Sequence, residues 1–199
     1  MDRYESVLES ILESIKNSKK DIKIFPVNIE VLNCIKKRYE INEESLLGTI
    51  LFKTGGIIVE GWLRIYGSGK LNFYERNQLF PYSNIIVAED ILGGLFAILD
   101  DGNISYFAPD CLEWEAMEIS FSEFLYWTFH GDTDTYYKDY RWDTWKNDLK
   151  RISNDNGIVF YPFLWAEADS LENRYRKEVS MSEIIKLEFD FLKKLKEKK

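Results

Sequence analysis

The sequence predicts an α+β fold in which a central, mainly antiparallel sheet is flanked by helices at both ends of the chain. Three observations carry that reading. Apolar residues recur at helical spacing near both termini. Leu95 to Leu99 and Ile104 to Phe107 are strand-forming runs separated by Asp100-Asp101-Gly102-Asn103, turn residues that tolerate left-handed backbone, so they form a hairpin. Short apolar runs elsewhere follow one another without the long helical crossovers that parallel strands require.

In chain order, Val7, Leu8, Ile11, Leu12 and Ile15 make the stripe of an opening helix, with Glu9, Glu13 and Lys16 on its other faces. Ile22 to Phe25 is a short strand, and Ile29 to Tyr39 a second helix with Val31, Leu32 and Ile35 as its apolar set. From Leu46 to Val59 a helix or strand turns at Gly55-Gly56 into a further strand. Gly61 to Tyr66 and Tyr82 to Glu89 are the next strands, followed by the central hairpin. Around Glu118 the period becomes helical, with Phe121, Phe124, Leu125, Thr128 and Phe129 on one face and Ser120 or Ser122 as the cap. Trp142, Trp145, Leu149 and Ile152 predict one amphipathic helix over Asp143 to Ser153, and Asn154 to Gly157 a turn. Ile158 to Trp165 is a strand bent or placed at an edge by Pro162. A final helix starts near Ser180 or Ser182 and carries Ile184, Ile185, Leu187, Phe189, Phe191 and Leu192. The whole reads as one domain over 1–199, helical to about 45, sheet-rich from about 46 to 127, and mixed aromatic helix and strand from about 128.

With 45% hydrophobic and 16% aromatic residues in 199, the chain can bury a core without metals or disulfides, so no cofactor is expected. A net charge of -8 repels nucleic acid and anionic membranes and suits a basic or neutral protein partner. The basic tail from Lys193 to Lys199 complements a helix C-terminus. Cys34 and Cys111 lie far apart with no metal-ligand spacing and read as buried small apolar residues. The N-terminal stretch alternates charge with apolar residues, unlike a signal peptide, and no run is long enough for a membrane span, which predicts a cytosolic protein.

Candidate chemistry is sparse. His130, the only histidine, stands beside Asp132 and Asp134 in HGDTDT, which lacks the ligand count of an EF-hand and the spacing of HExxH and so reads as a polar helix-ending loop. Gly67-Ser68-Gly69-Lys70 lacks the remaining glycines of a dinucleotide fingerprint and the ending of a P-loop, so it reads as a plain turn. There is no GxSxG elbow. Glu113 and Glu115 flank Trp114 and fall on one side of a strand, where they are solvated or face a partner. Six tryptophans fill the core or anchor an interface. Arg141 beside Trp142, surrounded by Tyr136, Tyr137 and Tyr140, is the best exposed anchor pair, although core packing explains the same cluster.

LGTILFKTGG, GWLRIYGSG, ILGGLFAI, YFAPDCLEWE, FSEFLYW, RWDTW and YPFLW, in that order, resemble the bacterial domain of unknown function numbered 2625 through about Leu46 to Leu187. A more remote similarity is to the SUKH superfamily, carried by a helix before Gly55-Gly56, the strand pair around Gly102 and the aromatic helix FSEFL. That resemblance implies an immunity protein that neutralises a bacterial toxin by covering its surface, and the acidic balance suits a basic target. The leading expectation is therefore a non-catalytic protein-binding module with Asp132, Asp134, Arg141 and Trp142 at the partner. The alternative is a small-molecule-binding protein or hydrolase with a pocket between the sheet and terminal helices, lined by Trp62, Trp114, His130 or Trp165. A structural homo-oligomer is the third reading.

Overall fold

A computed structural model describes residues 3–80, 83–168 and 170–197. Tyr82, at the start of one expected strand, and Lys198 and Lys199 of the basic tail lie outside the described residues. The centre is a seven-stranded sheet of β1 (Ile22–Ile24), β2 (Ile57–Val59), β3 (Leu63–Ile65), β4 (Ile85–Asp90), β5 (Leu95–Ile98), β6 (Asn103–Ala108) and β7 (Glu113–Ser120). Every neighbour is antiparallel and the strands lie in chain order, a meander.

Helices flank that meander, the first two, the first after β7 and the last where the periodicity predicts them. α1 (Arg3–Lys16) precedes it, α2 (Ile29–Arg38) and α3 (Leu46–Lys53) fill the β1 to β2 connection, and α4 (Phe73–Leu79) joins β3 to β4. After β7 come α5 (Phe121–His130), the short α6 (Thr133–Tyr136) and α7 (Trp145–Leu149). A separate antiparallel hairpin of β8 (Asn156–Tyr161) and β9 (Tyr175–Ser180) then leads into α8 (Met181–Lys196).

Alternation along the strands sends side chains to two cores. Phe96, Tyr106 and Leu63 meet Ile11 of α1 and Phe124 and Phe129 of α5 on one face. Leu95, Phe107 and Ile58 meet Ile35 of α2, Phe73 of α4 and Ile184 and Ile185 of α8 on the other. The cap of α5 resolves to Ser120, whose hydroxyl meets the Glu123 amide while the Glu123 carboxylate returns to the Ser120 amide, a capping box. Ser180 caps α8 in the same position. Gly56 holds φ +108 in the tight turn into β2, where a Cβ would meet the Leu71 side chain at 2.5 Å.

Four expectations need correction. The helix expected over Asp143 to Ser153 shrinks to α7, because Trp142 and Trp145 both turn onto Trp62 and the Ser153 amide donates to Glu178 Oε1 at 3.0 Å instead of continuing a helix. The strand expected to Trp165 stops at Tyr161, before Pro162. Strand β7 runs to Ser120, past the Glu118 at which the helical period begins, and α5 starts at Phe121. Cys34 and Cys111 are free and exposed, Cys34 on the outer side of α2 and Cys111 in the turn from β6 to β7. In the Gly67 to Lys70 turn Gly67 N donates to Leu71 O and Ser68 N to Thr54 O.

Candidate protein-binding face and buried carboxylates

Asp132, Asp134 and Arg141 come together around α6. Asp132 caps this helix by accepting from the Thr135 amide at 2.9 Å and the Thr135 hydroxyl at 2.6 Å, and these bonds hold its carboxyl below the usual range. Arg141 ion-pairs with Asp134 and lies with its guanidinium 4.2 Å from the Trp145 ring centre and 4.9 Å from that of Trp62. Burial is the main cause of a lowered Arg141 pKa. Trp142 turns the other way. It is 1% exposed, packs on Trp62 and Phe160, and donates Nε1 to Asp148 Oδ2 at 2.6 Å. Arg141 and Trp142 are therefore not an exposed anchor pair, since packing around Trp62 draws both inward.

The four residues expected to line one pocket are dispersed. Trp62 is fully buried in one core, whereas Trp114 and Trp165 pack against the other. His130 ends α5 with Nε2 2.9 Å from the Ser14 hydroxyl and its ring against Tyr126. Trp165 borders a cavity of about 20 Å³ between β8 and α8, little more than one water position. Among the described residues no group of three or more His, Cys, Asp or Glu could hold a metal ion, and no helix is long and apolar enough to cross a membrane.

The acidic and aromatic residues do converge, but elsewhere. β7 is the last strand of the sheet and carries exposed Glu113, Glu115 and Glu118 along an eight-residue edge. Glu115 pairs across from Tyr106, so it shares the face on which Tyr136 packs edge-on against Trp127 at 5.0 Å and Tyr106 at 6.1 Å. Tyr136 is 39% exposed there. Beside it the Tyr140 hydroxyl donates to Asp110 Oδ2 at 2.6 Å. Burial and then the nearby carboxylates push both phenols upward, Asp90 followed by Glu115 and Asp110 acting on Tyr136, and Asp110 on Tyr140. The sequence marks each of these residue types, yet only the folding of 130–141 onto β6 and β7 places them on one surface.

Three further acids are buried: Glu89, Asp90 and Glu188. Glu89 Oε2 accepts from Tyr66 at 2.5 Å and Arg76 Nε at 3.0 Å, and Arg64 Nη1 lies 3.5 Å from Oε1. Asp90, on the opposite face, accepts from Tyr106 at 2.7 Å, Tyr137 at 3.2 Å and the amides of Leu92 and Gly94 at 2.9 Å. Burial raises its pKa despite these donors. Glu188 of α8 rests against Gly93, φ +101, where a Cβ would lie 2.3 Å from Glu188 Oε1. Its Oε2 has no hydrogen-bond partner, and burial followed by Asp90 drives its pKa well up. Perturbed acids often mark active sites, but Asp90 is sealed from solvent and Glu188 reaches only the 20 Å³ cavity, so both shifts express desolvation in the packed interior.

Comparison with known proteins places this geometry in a wider group. The family model described as "Protein of unknown function DUF2625" matches residues 1–184. The uncharacterised protein YbfG of Escherichia coli strain K12 is 31% identical over 188 residues, covering 87% of this chain and 86% of that protein. An uncharacterised protein of Haemophilus influenzae is 30% identical over 158 residues, covering 69% of this chain and 68% of its own length.

Proposed function

We propose that this chain, which belongs to the DUF2625 family of proteins of unknown function, is a non-catalytic protein-binding module whose partner is basic. The observation that carries the reading is the edge of β7, where exposed Glu113 and Glu115 lie on the face that carries Tyr136 and Tyr140. An open strand edge offers main-chain hydrogen bonds to a partner. Carboxylates steer a cationic protein toward it, and half-buried tyrosines supply rigid contact area. The sharper form of the proposal is immunity, in which a basic toxin made from a neighbouring gene is held on this face and its surface covered. A cytoplasmic location would fit that role.

The test uses the purified full-length protein and the basic product of an adjacent gene in calorimetric titrations at two salt concentrations. Binding that weakens with salt and falls at least tenfold in the Glu113→Lys/Glu115→Lys variant, with unchanged circular dichroism, is the expected result. No complex with any adjacent product, or affinity indifferent to the charge reversal, would overturn the proposal.

A further inference from the structure

A second cleft has the opposite chemistry. Between the segment that follows α7 and strand β9, a cavity of about 260 Å³ has Ile152, Ile158 and Trp142 as its apolar lining and Arg151 and Arg176 as its cations. Neither arginine side chain makes an ion pair within 4.0 Å among the described residues.

The two acids of the cleft, Asp148 and Glu178, do not bond these cations. Asp148 accepts from Trp142 Nε1 at 2.6 Å and the Thr144 hydroxyl at 2.8 Å, and Glu178 from the Ser153 amide at 3.0 Å and Asn156 Nδ2 at 2.8 Å. Those hydrogen bonds lower both carboxyl pKa values, with the charge of Arg176 and Arg151 a lesser cause at Asp148. Both acids are thus committed to other donors, which leaves the guanidinium donors of Arg151 and Arg176 uncommitted.

Arg176 is also held in place. Its guanidinium lies 5.2 Å from the ring centre of buried Trp142, and its Nη1 is buried with no hydrogen-bond partner. A buried donor without an acceptor is costly, and an anion entering the cleft would satisfy it. Guanidinium forks match phosphate oxygens, and the apolar lining would accept a carbon substituent on the ester. The volume is near the lower end of small-ligand sites, which start at about 300 Å³. We infer that this cleft binds a small soluble phosphate monoester, with Arg176 and Arg151 around the phosphate and Ile152 and Ile158 against its substituent.

Calorimetric titration of the full-length protein with phenyl phosphate, inorganic phosphate and benzyl alcohol tests the assignment. Saturable binding of phenyl phosphate, weaker binding of inorganic phosphate and none of benzyl alcohol are expected, together with at least a tenfold loss of phenyl phosphate affinity in Arg176→Gln and in Arg151→Gln. Arg151 is exposed, so its variant guards against loss of packing around Trp142. Absence of saturable phenyl phosphate binding, affinity unchanged in both variants, or tighter association with phosphatidic acid vesicles than with phenyl phosphate would overturn it. Glu113→Lys/Glu115→Lys should leave this binding unchanged, which separates the cleft from the acidic face.

Discussion

On one face of the central sheet Glu89 is buried among cations, and on the other face its neighbour Asp90 is buried among neutral donors. Arg64, Arg76 and Tyr66 surround Glu89, whereas Tyr106, Tyr137 and two turn amides surround Asp90, with the second acid Glu188 beyond it. Both carboxyls have lost their water. Glu89 meets that cost with opposite charge, whereas Asp90, and Glu188 reaching the turn after it from α8, meet it by hydrogen bonding or by favouring the protonated acid. A single dipeptide of β4 therefore gives the sheet two responses to mutation, because strand alternation sends adjacent side chains into different surroundings.

The largest break in this comparison comes from Glu89→Gln. Removing the carboxylate strands two guanidiniums, Arg64 2% and Arg76 12% exposed at the side chain, so denaturant unfolding should register a loss of about 3–5 kcal/mol. Asp90→Asn removes acceptor capacity but leaves no unpaired cation, and the same measurement should give a smaller loss of about 1–3 kcal/mol. A loss at Asp90 equal to or greater than that at Glu89 would erase the contrast.

Glu188→Gln sharpens it with the opposite sign. A carboxyl whose folded pKa is raised contributes most favourably when protonated, and that contribution is lost as pH rises above the unfolded value of about 4.3 through the folded one. The variant should therefore gain on the order of 1 kcal/mol at pH 8, lose the advantage near pH 4, and show a flatter stability profile over that range than the parent. Denaturation at several pH values compares the two curves, and parallel curves would remove Glu188 from the account. The smallest effect belongs to Glu113→Lys/Glu115→Lys, whose exposed side chains should leave stability within about 0.5 kcal/mol.

The legible parts of this fold were those with local causes. The Asp100 to Asn103 turn, the Ser120 and Ser180 caps and the apolar stripes of α1, α5 and α8 each act within a few residues of themselves. α4 escaped because FYERNQL has no apolar stripe; the Asn72 cap and Asn77, which bonds Phe73 O and both backbone groups of Ile86, hold it instead. β9 escaped because YRKEVS carries little apolar alternation and owes its form to pairing with β8. Trp142 and Arg141 were recognisable as an aromatic and a cation, but their inward turn depends on Trp62, far away in sequence. The same holds for the acidic face, whose tyrosines and carboxylates meet only after the chain has crossed the sheet.

The most direct test of how the interior accommodates Asp90 and Glu188 is a carbon-13 NMR titration of the side-chain carboxyls in the intact folded protein, with Glu188→Gln used to assign the Glu188 signal. The account predicts a Glu188 midpoint well above the ordinary glutamate range and an Asp90 midpoint raised above that of a free aspartate. Midpoints at or below the ordinary values would show that these acids are charged in the interior and that their surroundings do not favour the protonated form.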